Sequence, residues 1–295
     1  MTAFLTELGK KLADKWLSVL VLPGALFLGT LMMGLTLGHG HWHDLAKLRS
    51  ALKRLDTAAS RPAAEVALAT AALVLAAAAA GLLAKAVAAM VTSVWVGEWP
   101  RRLTACALKA SHRRERWLRA TQNYEAEAAK PPFERDEAVL VRHAATRNRI
   151  GLAEPCHGTW MGDRLAAVET RVRVEYGVDL PFVWPRLWLT LPDSARAELD
   201  TVRGTFNSAT ALAGWGLCYM AIGILWWPAA LIGAATLLAA CRRGRLAVAS
   251  LAMLTEAAVD LHGAALAVQL GLTADSGQLT KALGERITVV ARKGS

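Results

Sequence analysis

Residues 206–241, "FNSATALAGWGLCYMAIGILWWPAALIGAATLLAAC", form a run of 36 residues without a charge. A helix rises about 1.5 Å per residue, so about 20 apolar residues cross a hydrocarbon layer about 30 Å thick. This run is too long for one comfortable crossing. Its middle reads Trp226-Trp227-Pro228, where proline interrupts the helix and an indole pair suits a membrane interface. The stretch therefore predicts a tight hairpin of two spans, 205–226 and 227–241. "RRGR" at 242–245 follows as a stop on the cytoplasmic side.

Two more stretches obey the same arithmetic. Residues 16–37 carry no charge and predict a first span, in which Pro23 is tolerable because neighbouring helices can satisfy the freed carbonyl. Residues 63–84 predict a second. Alanine dominates that segment, and with Gly81 it makes a thin helix that other helices approach closely. Composition agrees with a membrane protein: mean hydropathy is +0.31, 54% of residues are hydrophobic, and charged residues still make up 20%. The charges must be segregated, so a substantial part of the chain faces water.

Lysine and arginine total 34 against 24 acids, a net charge of +10. Anionic lipid headgroups explain this balance as well as nucleic acid does once spans are present. With the N-terminus inside, 29 basic residues fall on the inner side and 5 in the outer loop 38–62. The positive-inside rule then places both termini in the cytoplasm. Cys106, Cys156, Cys218 and Cys241 show no C-x-x-C spacing, which gives neither a disulfide framework nor a zinc ribbon. The N-terminus has no cleavable-signal pattern, since a charged amphipathic stretch precedes a span too long for an h-region.

The fold class expected is all-α: an integral membrane protein of about four helices with a cytoplasmic helical domain, 85–204, between spans two and three. In that domain Leu103, Ala107, Ala110, Trp117 and Tyr124 lie on one stripe, which predicts a helix continuing span two into the cytosol. "KPPF" breaks it. Leu165, Val168, Val172 and Tyr176 predict a second amphipathic helix from about Gly162, and Asp193 is a plausible N-cap for a helix running into span three. Between them lies "LPFVWPRLWLTLP", 180–192. Its three prolines argue for an irregular segment in which Trp184, Arg186 and Trp188 sit either in the headgroup zone or on a small core.

The segment 159–196, "TWMGDRLAAVETRVRVEYGVDLPFVWPRLWLTLPDSAR", resembles a group of uncharacterised bacterial multi-pass inner-membrane proteins of the actinomycete type. The likeness is carried by its Gly-Asp-Arg start, Tyr-Gly-x-Asp turn and Trp-Pro-Arg-Leu run. It spans about 40 residues and is loose elsewhere. It implies an integral inner-membrane protein and supplies no reaction, cofactor or catalytic residue.

Four features invite chemistry. His39, His41, His43 and Asp44, just beyond span one, are ligand types for Zn²⁺ or Cu²⁺ in a glycine-interleaved loop, although their spacing is not that of a rigid site and a solvated interfacial loop is the simpler reading. Leu45, Leu48, Leu52 and Leu55 then predict an amphipathic helix on the membrane surface or against a partner, as Phe4, Leu8, Leu12 and Trp16 do for a helix over 1–15. The basic run Arg113–Arg119 has acids interleaved around it and no nucleic-acid fold signature, so lipid or an acidic partner is the better match. Residues 246–272 contain Glu256 and Asp260. As a fifth span they would mark an ion or proton pathway, whereas as part of the cytoplasmic 242–295 region the two carboxylates form the polar edge of a helix, with Leu251, Leu254 and Leu261 opposite.

Nucleophile-elbow, metalloprotease, dinucleotide and P-loop signatures are absent from the sequence. The expected function is non-catalytic and without a cofactor: a self-associating membrane scaffold or channel-like assembly whose cytoplasmic domain receives a signal or a protein partner. A transporter using Glu256 and Asp260, and a metal-dependent protein using the histidine loop, are the alternatives.

Overall fold

Apolar helical runs ended by Gly or Pro set the architecture. The computed structural model describes residues 21–40, 62–97, 104–272 and 277–293, with side chains from 111 in the third of these, together with residues 7, 44, 46, 47, 49, 50 and 53. Among the described residues all regular structure is helical: α1 Leu22–Leu37, α2 Ala63–Val96, α3 Thr104–Ala128, α4 Glu137–Ile150, α5 Trp160–Tyr176, α6 Leu180–Thr190, α7 Asp193–Ile222, α8 Trp227–Gln269 and α9 Lys281–Arg292. The chain divides into two units, one of residues 1–91 and 208–242, the other of 92–207 and 243–295. It passes between them inside α2, α7 and α8.

In the first unit, small residues set the spacing. A Cβ added to Gly24 of α1 would lie 2.0 Å from the Ala77 carbonyl oxygen of α2, and one on Gly214 of α7 would lie 2.5 Å from that of Ala84. A Cβ on Gly233 of α8 would lie 2.8 Å from the Gly216 carbonyl oxygen of α7. Phe27 of α1 rests against Trp215 and Tyr219 of α7, with ring centroids 5.8 Å apart in each case. The thin face of α2 is therefore used within the chain. Leu68, Leu75 and Leu82 lie exposed along the same helix.

α2 and α8 are each long and apolar enough to cross a membrane, and only 22% and 33% of their apolar windows are buried within the chain. The core helix of a water-soluble fold would be mostly covered. At about 1.5 Å per residue the 34 residues of α2 extend about 51 Å and the 43 of α8 about 65 Å, well beyond one hydrocarbon layer. α1, with 16 residues, is shorter. The turn between α7 and α8 falls at 223–226, and Pro228 sits in the first turn of α8, where a missing N–H costs nothing.

Several expectations need correcting. The helix expected after "RRGR" is not a separate element: it is the continuation of α8, which runs from Trp227 to Gln269. α2 does not continue into α3: it ends at Gly97, whose φ of +88° lies where glycine is favoured. Asp193 is the first residue of α7 rather than the residue before it, and its carboxylate pairs with Arg196 at 2.7 Å. Leu261 is exposed, not packed opposite the acids.

The largest departure is at 180–192, which is helical from Leu180 to Thr190. Pro181 occupies the first turn, and Pro192 lies beyond the end. Only Pro185 sits inside, removing the bond to the Pro181 carbonyl at a cost of about 3 kcal/mol. Burying Val183 and Leu187, 2% and 1% exposed, returns about 1.5–3 kcal/mol each, which outweighs one lost hydrogen bond.

The amphipathic helix over 1–15 (Glu7 apart), residues 16–20 of the first span, His41, His43, most of the 45–55 helix and Leu103 lie outside the described residues.

Candidate ligand-binding cleft

The second unit is built around α5. Val168 and Val172 of α5 pack with Val183 and Leu187 of α6, Val259 and Leu266 of α8, and Leu283 and Ile287 of α9. Gly177 ends α5 at φ +64°, in the left-handed region, and donates its N–H to the Arg173 carbonyl. Two residues on, Asp179 is 5% exposed. It pairs with Arg292 of α9 and lies 3.7 Å from Arg173, while its N–H donates to Thr288 Oγ1 at 3.0 Å. The Tyr-Gly-x-Asp turn thus clips α9 onto α5 and α6.

Beside this core a cleft of about 440 Å³ opens, with an apolar floor that includes Leu165, Leu180, Leu199 and Leu251. That volume falls within the range of about 300–1,000 Å³ of small-molecule sites. Trp184 and Trp188, one turn apart on α6, form one wall, their rings 6.1 Å apart and inclined by 49°. Both are half-buried against the small core of Leu191, Leu199 and Ala258. His157, Glu169, Asp200, Arg203 and Thr255 supply the polar lining. Glu169 is paired with Arg173 at 2.7 Å. Arg186, between the two indoles in sequence, donates instead to the Phe182 carbonyl at 2.7 Å.

His157 also belongs to a cluster that the sequence reading missed. Cys156 Sγ lies 3.1 Å from His157 Nδ1, which is 3.7 Å from Asp163 Oδ1, and these donors all lie within 4.8 Å of one another. Thiolate, imidazole and carboxylate are suitable zinc ligands. The buried carboxylate is already committed, however. Its Oδ1 accepts the N–H groups of Cys156 and His157 at 2.9 and 2.6 Å, and its Oδ2 faces Arg113 at 2.7 Å. The guanidinium supplies the positive charge a metal would bring, so the cluster works as a clamp on the loop entering α5. Burial and then the nearby Asp163 charge push the Cys156 thiol up, which keeps it protonated and weakly nucleophilic near neutrality. A Gly-Asp start to α5 and Arg113 fifty residues earlier were both visible in the sequence, but nothing there joined them.

No protein-family model matches the chain, and neither a curated protein nor a solved structure matches it.

The remaining expected sites separate. Asp44 Oδ1 accepts the N–H groups of Ala46 and Lys47 at 3.0 and 3.1 Å, the geometry of a helix cap, and His39 is exposed. Glu256 pairs with Arg171 at 2.8 Å, and Asp260 accepts a hydrogen bond from the Tyr176 hydroxyl. That bond, together with burial, holds the phenol above its ordinary range. Trp226 is half-buried and Trp227 exposed beside the α7–α8 turn. In the basic run, Arg113, Arg114 and Arg119 face Asp163, Glu154 and Glu115.

Proposed function

We propose that the protein is a four-span bacterial inner-membrane protein whose second unit is a cytoplasmic, non-catalytic receiver for an apolar small molecule. The observation that carries this reading is the cleft walled by Trp184 and Trp188. Its lining is mainly apolar with a few polar groups, the arrangement of small-molecule sites. The neighbouring Cys156 thiol is protonated and the Asp163 carboxylate is tied up, so neither is poised as a nucleophile or base.

The spans are 16–37, the apolar part of α2, the 206–222 part of α7 and the beginning of α8. Exposed leucines on α2 and the small-residue contacts within the first unit support this. The basic count favours cytoplasmic termini, and Arg242 and Arg243, exposed after the fourth span, suit anionic headgroups. Self-association has weaker support than at the sequence level, because Gly24 and Gly214 already occupy the thin face of α2. A fifth span also loses support. α8 is one continuous helix, which makes one pass, and its two carboxylates have partners within the second unit.

The test is photolabelling of the full chain in native membranes with an apolar diazirine. Label should appear on the peptide 180–190 as well as on the spans, and Ala166→Trp, which fills the cleft, should remove it from that peptide alone. Label confined to the spans would refute the receiver reading.

A further inference from the structure

We propose that the cleft selects a single-chain zwitterionic amphiphile, an apolar tail carrying neighbouring ammonium and phosphate groups. This rests on reading the cleft as a binding site. Two charged side chains on its lining, Asp200 and Arg203, lie three residues apart on α7, and both are exposed. Among the described residues neither has an ion-pair partner, not even the other, while the third charged lining group, Glu169, is matched by Arg173. The cleft thus offers one open carboxylate and one open guanidinium side by side.

Each has a distinct complement. A guanidinium presents a planar fork of donors that matches phosphate oxygens. The carboxylate, in the same lining as the Trp184 and Trp188 indoles, suits an ammonium, which indole rings attract through their π electrons. A purely anionic head would leave Asp200 repelled, and a purely cationic one would leave Arg203 repelled. The volume of about 440 Å³ sits toward the small end of ligand sites, which favours one chain over two. The leucine floor accepts the tail.

The experiment is titration calorimetry of the full chain in nanodiscs, with empty nanodiscs as blanks, using four twelve-carbon probes below their micellar concentrations: dodecylphosphocholine, dodecyltrimethylammonium, dodecyl sulfate and dodecyl maltoside. Dodecylphosphocholine should bind saturably and about tenfold more tightly than the other three, the size expected of one charge-assisted contact. Arg203→Gln should bring it down to the level of the ammonium probe, and Asp200→Asn to that of the sulfate. Both positions are exposed, so folding is preserved. If the ammonium or sulfate probe binds tightest, or if the maltoside binds as well and both substitutions are silent, the headgroup proposal is overturned while the cleft stands. If no probe binds saturably and Ala166→Trp changes nothing, the receiver reading itself fails.

Discussion

At the scale of the residue, buried groups do one job each. Leu187, 1% exposed, fills the seam between α6 and the core of α5, α8 and α9. Leu187→Ala should destabilise the second unit by about 2–5 kcal/mol, seen as a lower unfolding midpoint for the purified chain. Glu127 closes the turn between α3 and α4: Lys130 donates to it at 2.6 Å and the Asp136 N–H at 3.1 Å, and these contacts hold its carboxyl below the usual carboxylate range. A depressed folded-state pKa contributes stability above the unfolded value, and that stability is lost as pH falls through the folded value. Glu127→Gln should therefore lower the melting temperature at pH 7, with the difference from wild type shrinking as the solution is acidified through the carboxylate range. A deficit that did not depend on pH would show that the charge is irrelevant there.

At the scale of the element, close helix approach and helix termination carry the design. Gly24 faces the backbone of Ala77, whereas Gly29 on the same helix has open space where a side chain would go. Gly24→Leu should separate α1 from α2 and lower thermal stability in detergent, while Gly29→Leu should leave it nearly unchanged. Equal effects would mean that α1 is not seated through Gly24. The hairpin at 223–226 was legible because proline and an uncharged run of excess length leave few other readings. The helix at 180–190 was not. Local rules counted three prolines, and only the burial of Val183 and Leu187 showed that one interior proline is tolerable.

At the scale of the whole molecule, charge is segregated from the apolar runs, and α2 and α8 are long and apolar enough to cross a membrane. The protein should stay in the membrane pellet through an alkaline carbonate wash, and a reporter fused after Ser295 should read as cytoplasmic. An external C-terminus would restore the fifth span and return Glu256 and Asp260 to the membrane.

The sequence by itself determined the helical class and the positions of the apolar runs, because hydrophobicity and length act along the chain and need no partner. It also placed helices such as α5 through periodicity. Tertiary structure alone decided what Trp184 and Trp188 face, that Asp163 meets Arg113 across fifty residues, and that Asp200 and Arg203 share a cleft with them. Such sites are made by side chains distant in sequence, and only packing sets the distances on which their chemistry depends.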